Sequence, residues 1–189
     1  MEHCIAGDIA GNVIADTPRG LAVGRAEHVR AARNNVSATD AGIFLFAVAE
    51  SLFEWNRIDI VDQGTGGLWN LGRTGVLLDP DQNWDQWPPL FLAGSVKNVV
   101  RRNRITGSMS YAYRLACGST ENEIRIGRGS VPTSYVAPVE GLCGNGVNDA
   151  NPGGYAVALS DVRHGCPAAS QNTIVKFGPV SVLDCSGSG

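Results

Sequence analysis

An all-β solenoid, wound as a single domain from coils of about twenty residues, is the fold class that this 189-residue sequence predicts. Three observations carry the prediction. A motif of one small or apolar residue, two free positions, Asn, one free position and Ile or Val recurs six times. Two segments of 17 residues align without a gap at a constant offset of 47. Composition points the same way: 24 glycines, 43% hydrophobic residues, only 17% charged residues, and no apolar stripe of helical period beyond about two turns.

The motif copies are Ile9-x-x-Asn12-x-Ile14, Ala31-x-x-Asn34-x-Val36, Phe53-x-x-Asn56-x-Ile58, Val100-x-x-Asn103-x-Ile105, Ser119-x-x-Asn122-x-Ile124 and Ala169-x-x-Asn172-x-Ile174. Their asparagines are 22, 22, 47, 19 and 50 residues apart, so two of the intervals carry inserted chain. The internal match joins residues 42–58 to 89–105, both ending in Asn-Arg-Ile, with a weaker echo at Gly20-Leu-Ala-Val-Gly24. Asparagine tolerates the left-handed bend between two strands, and its amide can bond the matching asparagine one coil away. Coils stacked about 4.8 Å apart pile like side chains into ladders, with the apolar residues three before and two after the asparagine pointing inward. A helical solenoid is the competing repeat, but the glycines, asparagines and short β-branched runs argue against it.

No linker-like stretch divides the chain, and its apolar fraction is too high for disorder. A net charge of −3, with one basic cluster at Arg101, Arg102 and Arg104, argues against a nucleic-acid partner. No apolar run nears the ~18 residues of a membrane span. The N-terminus lacks a signal-peptide pattern, which leaves a cytoplasmic protein or a mature or truncated chain. Cys4, Cys117, Cys143, Cys166 and Cys185 form no CxxC pair and no zinc spacing. Disulfides in an oxidising compartment and buried thiols both stand open.

The order Gly-apolar-x-apolar, short turn, apolar-x-x-Asn-x-Ile resembles the repeat of the pectate-lyase-like superfamily, closely over residues 9–126 and more loosely beyond. The resemblance implies a right-handed parallel β-helix of about six coils, each with three strands, and an Asn ladder at one corner. It places Leu21–Val23, Ile43–Phe46, Leu90–Ala93, roughly Tyr111–Leu115, and Tyr155–Leu159 in a first sheet. The second sheet precedes each Asn and the third follows it. Alternation turns Leu21, Val23, Ile43, Leu45, Leu90 and Leu92 inward and Ala22, Phe44, Phe46, Phe91 and Ala93 outward. In the fourth coil Tyr111, Tyr113 and Leu115 are expected inside and Arg114 outside, with the opposite phase open. Insertions at about 59–88 and 127–153 then share one corner, between a third strand and the next first strand. In the family, loops at that corner flank a groove where sugar polymers bind, and long loops on a rigid scaffold carry function.

Phe44, Phe46 and Phe91, with Trp84 and Trp87 from the first insertion, would offer flat apolar surface to a pyranose, or be sealed beneath that insertion. Asp79, Asp81 and Asp85 could supply oxygen ligands to Ca²⁺, which in the family's lyases neutralises a uronate; no other cofactor is required. Their spacing lacks the EF-hand Gly and Glu, so solvated turn carboxylates are the alternative. Arg114 is the candidate catalytic cation, because β-elimination needs a base, often Lys or Arg in these families, and positive charge beside the enolate. Lys97, Arg101, Arg102 and Arg104 are expected beside the second strand, facing away from the groove and solvated. Paired aspartates with a neighbouring His motif, an Asp-Pro-His-Glu segment and a Gly-x-Ser-x-Gly elbow are all missing from the sequence.

Two functions follow as expectations. One is a secreted or cell-surface β-helix, lyase-like or binding, acting on an acidic polysaccharide. The other is a non-catalytic surface, phage-tail or scaffold module. Because the repeat opens within ten residues with no capping helix before it, truncation of a longer solenoid or homo-oligomerisation through an uncapped end is a further expectation.

Overall fold

The computed structural model describes residues 4–62, 73–79, 81–83, 90–116, 118–135, 155–159 and 169–184, and in these the chain is all-β. Its strands are β1 (Cys4–Ala10), β2 (Val13–Ala32), β3 (Asn35–Ala49), β4 (Leu52–Glu54), β5 (Arg57–Ile60), β6 (Thr74–Asp79), β7 (Asp81–Asn83) and β8 (Leu90–Ala93). They continue as β9 (Val99–Arg101), β10 (Arg104–Gly107), β11 (Tyr111–Leu115), β12 (Glu123–Ile126), β13 (Tyr155–Leu159), β14 (Thr173–Lys176) and β15 (Val182–Asp184). All but β7 and β8 join one parallel sheet that curls around a shared core, consistent with a β-solenoid. Among the described residues no helix is long and apolar enough to cross a membrane.

Three faces follow from the pairing. On the first, Leu21, Ile43, Val76, Tyr113, Val157 and Val182 lie in one column through β2, β3, β6, β11, β13 and β15. On the second, Ile9, Ala31, Phe53, Val100, Ile124 and Ile174 do so through β1, β2, β4, β9, β12 and β14. On the third, Ile14, Val36, Ile58 and Ile105 align through β2, β3, β5 and β10. The inward members of these columns make one apolar core, and Ile43, Phe53, Ile58, Val76, Val100 and Ile124 in it are wholly buried. Parallel strands bury both their neighbours and their inner face, so β-branched and aromatic residues at period two hold each rung.

The asparagines form two ladders, not the single ladder expected. Asn12, Asn34, Asn56 and Asn103 stack between the second and third faces. Asn98, Asn122 and Asn172 stack between the first and second, with Ser51 taking the place of Asn one rung earlier. The motif is therefore degenerate: Ser95-x-x-Asn98-x-Val100 fits it as well as Val100-x-x-Asn103-x-Ile105, and each serves a different corner. In both ladders the bend is made by the residue before the Asn. Arg33, Trp55 and Arg102 at one corner, and Lys97, Glu121 and Gln171 at the other, have φ between 55° and 59°. The Asn amide instead satisfies backbone groups that the bend leaves unpaired. Asn56 Oδ1 accepts from the backbone N–H and Nδ2 of Asn34, while its own Nδ2 donates to Asn103 Oδ1 and the Ala31 carbonyl.

A second correction concerns the third rung of the first face. Leu90–Ala93 was expected there, but β8 pairs antiparallel with β7 in a separate ribbon, and β6 fills the rung. The offset of 47 holds in the pairing of Ala49 with Val96, Phe53 with Val100 and Ile58 with Ile105, and fails upstream of it. Close packing explains the choice: a Cβ at Gly75 would lie 2.7 Å from Ile105 Cγ2, and one at Gly42 would lie 2.2 Å from Ile58 Cγ2. Gly75-Val-Leu-Leu supplies the glycine that this column demands, where Pro89-Leu-Phe-Leu does not. The stretch 59–88 is thus interrupted by a rung of the sheet. In the next rung Tyr113 and Leu115 enter the core as expected, but Ala112 accompanies them, while Tyr111 packs with Ala158, Tyr155 and Leu183.

Candidate functional site

The groove predicted on the first face is only partly assembled. Phe44, Leu77, Arg114 and Ala158 share an outward column, so Phe44 and Arg114 stand two rungs apart with Leu77 between them. Arg114 is only 3% exposed, which withdraws its guanidinium from solvent. Phe44 and Phe46 are half-buried with ring centroids 5.4 Å apart, and the Arg19 guanidinium lies 4.7 Å from the Phe44 ring centre. The Phe46 ring lies across Gly24, where any Cβ would collide with it. Phe91 belongs to β8 and so leaves this stripe. Asp79 ends β6 in register with Phe46, whereas Asp85, Trp84 and Trp87, and the side chains of Asp81 and Phe91, lie outside the described residues.

The third face and its corner carry the stronger concentration of chemistry. Each asparagine of the first ladder is flanked by two outward positions, one at the left-handed apex and one opening the next strand. The apex column runs Gly11, Arg33, Trp55, Arg102. The strand column runs Val13, Asn35, Arg57, Arg104, with Arg57 and Arg104 directly in register. All eight residues are exposed, Trp55 by 52% and Val13 by 78%. The Arg102 guanidinium stacks 5.0 Å from the Trp55 ring centre, a cation–π contact. Among the described residues, Arg33, Arg57 and Arg104 make no ion pair. Parallel neighbours are about 4.8 Å apart, so in-register arginines repel across the rung, a cost that a bound anion would remove.

Beside this strip lies a shallow depression of about 510 Å³ lined by Val13, Asn35, Ser37, Arg57, Asp59 and Thr106. Asp59 Oδ1 accepts a hydrogen bond of 2.8 Å from Thr106 Oγ1 in the next rung. The depression thus holds the Asp59 carboxylate and the Arg57 guanidinium, and Arg33, Arg102 and Arg104 are exposed on the adjoining strip. The combination can bind anions bidentately and present an indole to an apolar ring face.

The second face is the internal control. Glu54, its side chain 8% exposed, accepts from Arg30 at 3.1 Å and from Arg101 at 3.0 Å, and Arg30 also meets Asp8 at 3.5 Å. Burial alone would raise the Glu54 carboxyl, but the hydrogen bonds and charges of Arg101 and Arg30 together hold it below its ordinary value of 4.5. Arg101, expected to be merely solvated, is thus neutralised inside a network. Among the described residues no group of three His, Cys, Asp or Glu side chains is placed to hold a metal ion. Sequence reasoning passed over Arg33, Trp55 and Arg57 because both flanks of the Asn count as free positions in the motif. Read down the coils as columns rather than along the chain, Arg-Asn, Trp-Asn-Arg and Arg-Asn-Arg are a visible signal.

No protein-family model, curated protein or solved structure matches the chain.

Proposed function

We propose that this protein is a right-handed parallel β-helix of the pectate-lyase-like kind, built of about six coils, that binds an acidic polysaccharide at or outside the cell surface. The observation that supports this reading is the row of unneutralised arginines around exposed Trp55. Stacked guanidinium groups recognise carboxylate or sulfate, and an indole among them suits the apolar face of a sugar. Right-handedness follows from the general hand of parallel crossovers. Binding is favoured over cleavage because Arg114, the cation best suited to elimination, is withdrawn from solvent.

A panel of acidic and neutral polysaccharides tested against the full chain decides the matter. Acidic polymers are expected to bind, neutral ones not, and the double variant Arg57→Ala, Arg104→Ala is expected to weaken binding at least tenfold, about 1.4 kcal/mol. Binding of neutral polymers with equal strength, or of none at all, overturns the proposal.

A further inference from the structure

The depression beside the strip carries a different chemistry. Its outward side chains form two columns, Val13, Asn35 and Arg57 in one and Ser37, Asp59 and Thr106 in the other. Arg57 and Asp59 therefore lie side by side on β5, two residues and about 6.6 Å apart along the strand. Both are exposed, and neither makes an ion pair among the described residues. Asp59 Oδ1 accepts from Thr106 Oγ1, and among the described residues Oδ2 is open. One rung back, the Asn35 amide and the Ser37 hydroxyl have no hydrogen-bond partner among the described residues. Two rungs back, Val13 is the most exposed of the large apolar side chains among the described residues, at 78%. Over about 10 Å along the solenoid axis the surface thus passes from two opposite charges, through neutral polar groups, to an apolar side chain.

Opposite charges held side by side and unpaired discriminate against a simple anion, because one that docks on Arg57 meets the Asp59 carboxylate. A molecule carrying both charges satisfies both. We infer that the depression is a site for a free α-amino acid with a large aliphatic side chain, separate from the polysaccharide strip except for the shared Arg57. The ligand's ammonium donates to Asp59, its carboxylate accepts from Arg57 and the Asn35 amide, and its side chain lies back over Val13. The lengths agree. Ammonium nitrogen and carboxylate carbon in an α-amino acid are about 2.5 Å apart. A charge-assisted hydrogen bond of about 2.8 Å at each end extends that reach to about 8 Å, enough to bridge two residues of one strand. A volume of about 510 Å³ admits the whole molecule. A peptide end supplies one of the two charges and leaves the other member of the Arg57 and Asp59 pair unmatched.

The test is an NMR chemical-shift titration of the full chain with L-leucine, which is expected to saturate with a Kd on the order of 1 mM for so small a ligand at a solvated site. N-acetyl-leucine, without the ammonium, and leucinamide, without the carboxylate, are each expected to bind at least tenfold more weakly. Glycine is expected to bind about fivefold to tenfold more weakly, for want of an apolar side chain. Asp59→Asn should weaken leucine at least tenfold while acidic polysaccharide binding holds or tightens, whereas Arg57→Gln should weaken both. Val13→Ser should weaken leucine and leave glycine unchanged, with the urea midpoint of each variant kept as the check on folding. N-acetyl-leucine binding as tightly as leucine reduces the depression to an anion site and overturns the inference. Absence of saturable leucine binding below about 50 mM does the same. Loss of polysaccharide binding in Asp59→Asn overturns the separation of the two sites. If leucine binds and no acidic polymer does, this inference stands and the polysaccharide reading falls.

Discussion

The two asparagine corners share a backbone and differ in charge. At both, a left-handed residue makes the bend and a buried Asn follows it. Asn122 bonds to Asn98, Asn172 and the Ser95 carbonyl in the same geometry by which Asn56 bonds to Asn34, Asn103 and the Ala31 carbonyl. The apex column of the first-to-second corner runs His28, Glu50, Lys97, Glu121, Gln171, with Lys97 set between two glutamates and His28 3.7 Å from Glu50. The apex column of the second-to-third corner runs Gly11, Arg33, Trp55, Arg102 and has no acid in it. Because an inward polar side chain, Asn or Ser51 in its place, satisfies the backbone at the bend, the apex side chain is free to vary. One corner mixes acid and base and the other accumulates positive charge. Charge that the fold does not require is the better marker of a binding surface.

The sharpest way to break the comparison is to attack the shared part. Asn56→Leu and Asn122→Leu each strand two buried donors of the preceding Asn, and each is expected to cost about 3 kcal/mol or more in urea unfolding. The two losses should agree within about 1 kcal/mol, since the hydrogen bonds correspond one for one. A markedly smaller loss at either position would show that the corners are not equivalent.

Next in size is the neutralised second face. Glu54 has a folded pKa below its unfolded value, so its stabilisation is fully present above the unfolded value of 4.5 and is lost as pH falls through the folded one. Glu54→Gln should therefore cost about 1–3 kcal/mol at neutral pH, from weakened hydrogen bonds to Arg30 and Arg101. Below pH 4.5 the gap between variant and parent should narrow. Thermal unfolding across that range checks it, and a gap independent of pH would remove Glu54 as the titrating group.

The smallest effect has the opposite sign. Arg104→Ala relieves a like-charge contact with Arg57 and is expected to raise stability by about 0.2–0.5 kcal/mol. Lys97→Ala, between Glu50 and Glu121 in the balanced column, is expected to lower it by a similar few tenths. Equal signs for the two variants, measured by denaturant midpoint, would erase the distinction between the corners.

Much of the fold was legible. Leu21, Ile43 and Tyr113 on the first face, and Val36, Ile58 and Ile105 on the third, are inward as the motif requires. Legibility failed where one motif serves two corners. Asn103 and Asn122 look consecutive in the sequence at a spacing of 19, yet Asn122 stacks on Asn98 and Asn103 on Asn56. It failed again at Leu90–Ala93, where a gapless match outweighed the glycine column that selects Gly75. The site was less legible than the fold. Arg114 lies in register with Leu77 and Phe44, and nothing along the chain signals its burial. Along the chain Arg102 and Arg104 form only a short basic cluster, because their relation to Arg33, Arg57 and Trp55 exists only down the columns.

Repetition of side-chain type is written in the chain: which positions turn inward, where asparagine stops a strand, and that the strands wind in parallel. Those properties rest on local alternation and on like residues stacking over like. Which asparagine serves which corner, and which arginines find an acidic partner, depends on residues 22 to 50 positions away in the sequence. Glu54 pairs with Arg30 and Arg101 but not with Arg57 and Arg104 because the bends at Trp55 and Arg102 turn those two onto another face. Only the winding of the sheet decides that, since it sets which side chains come within reach of one another.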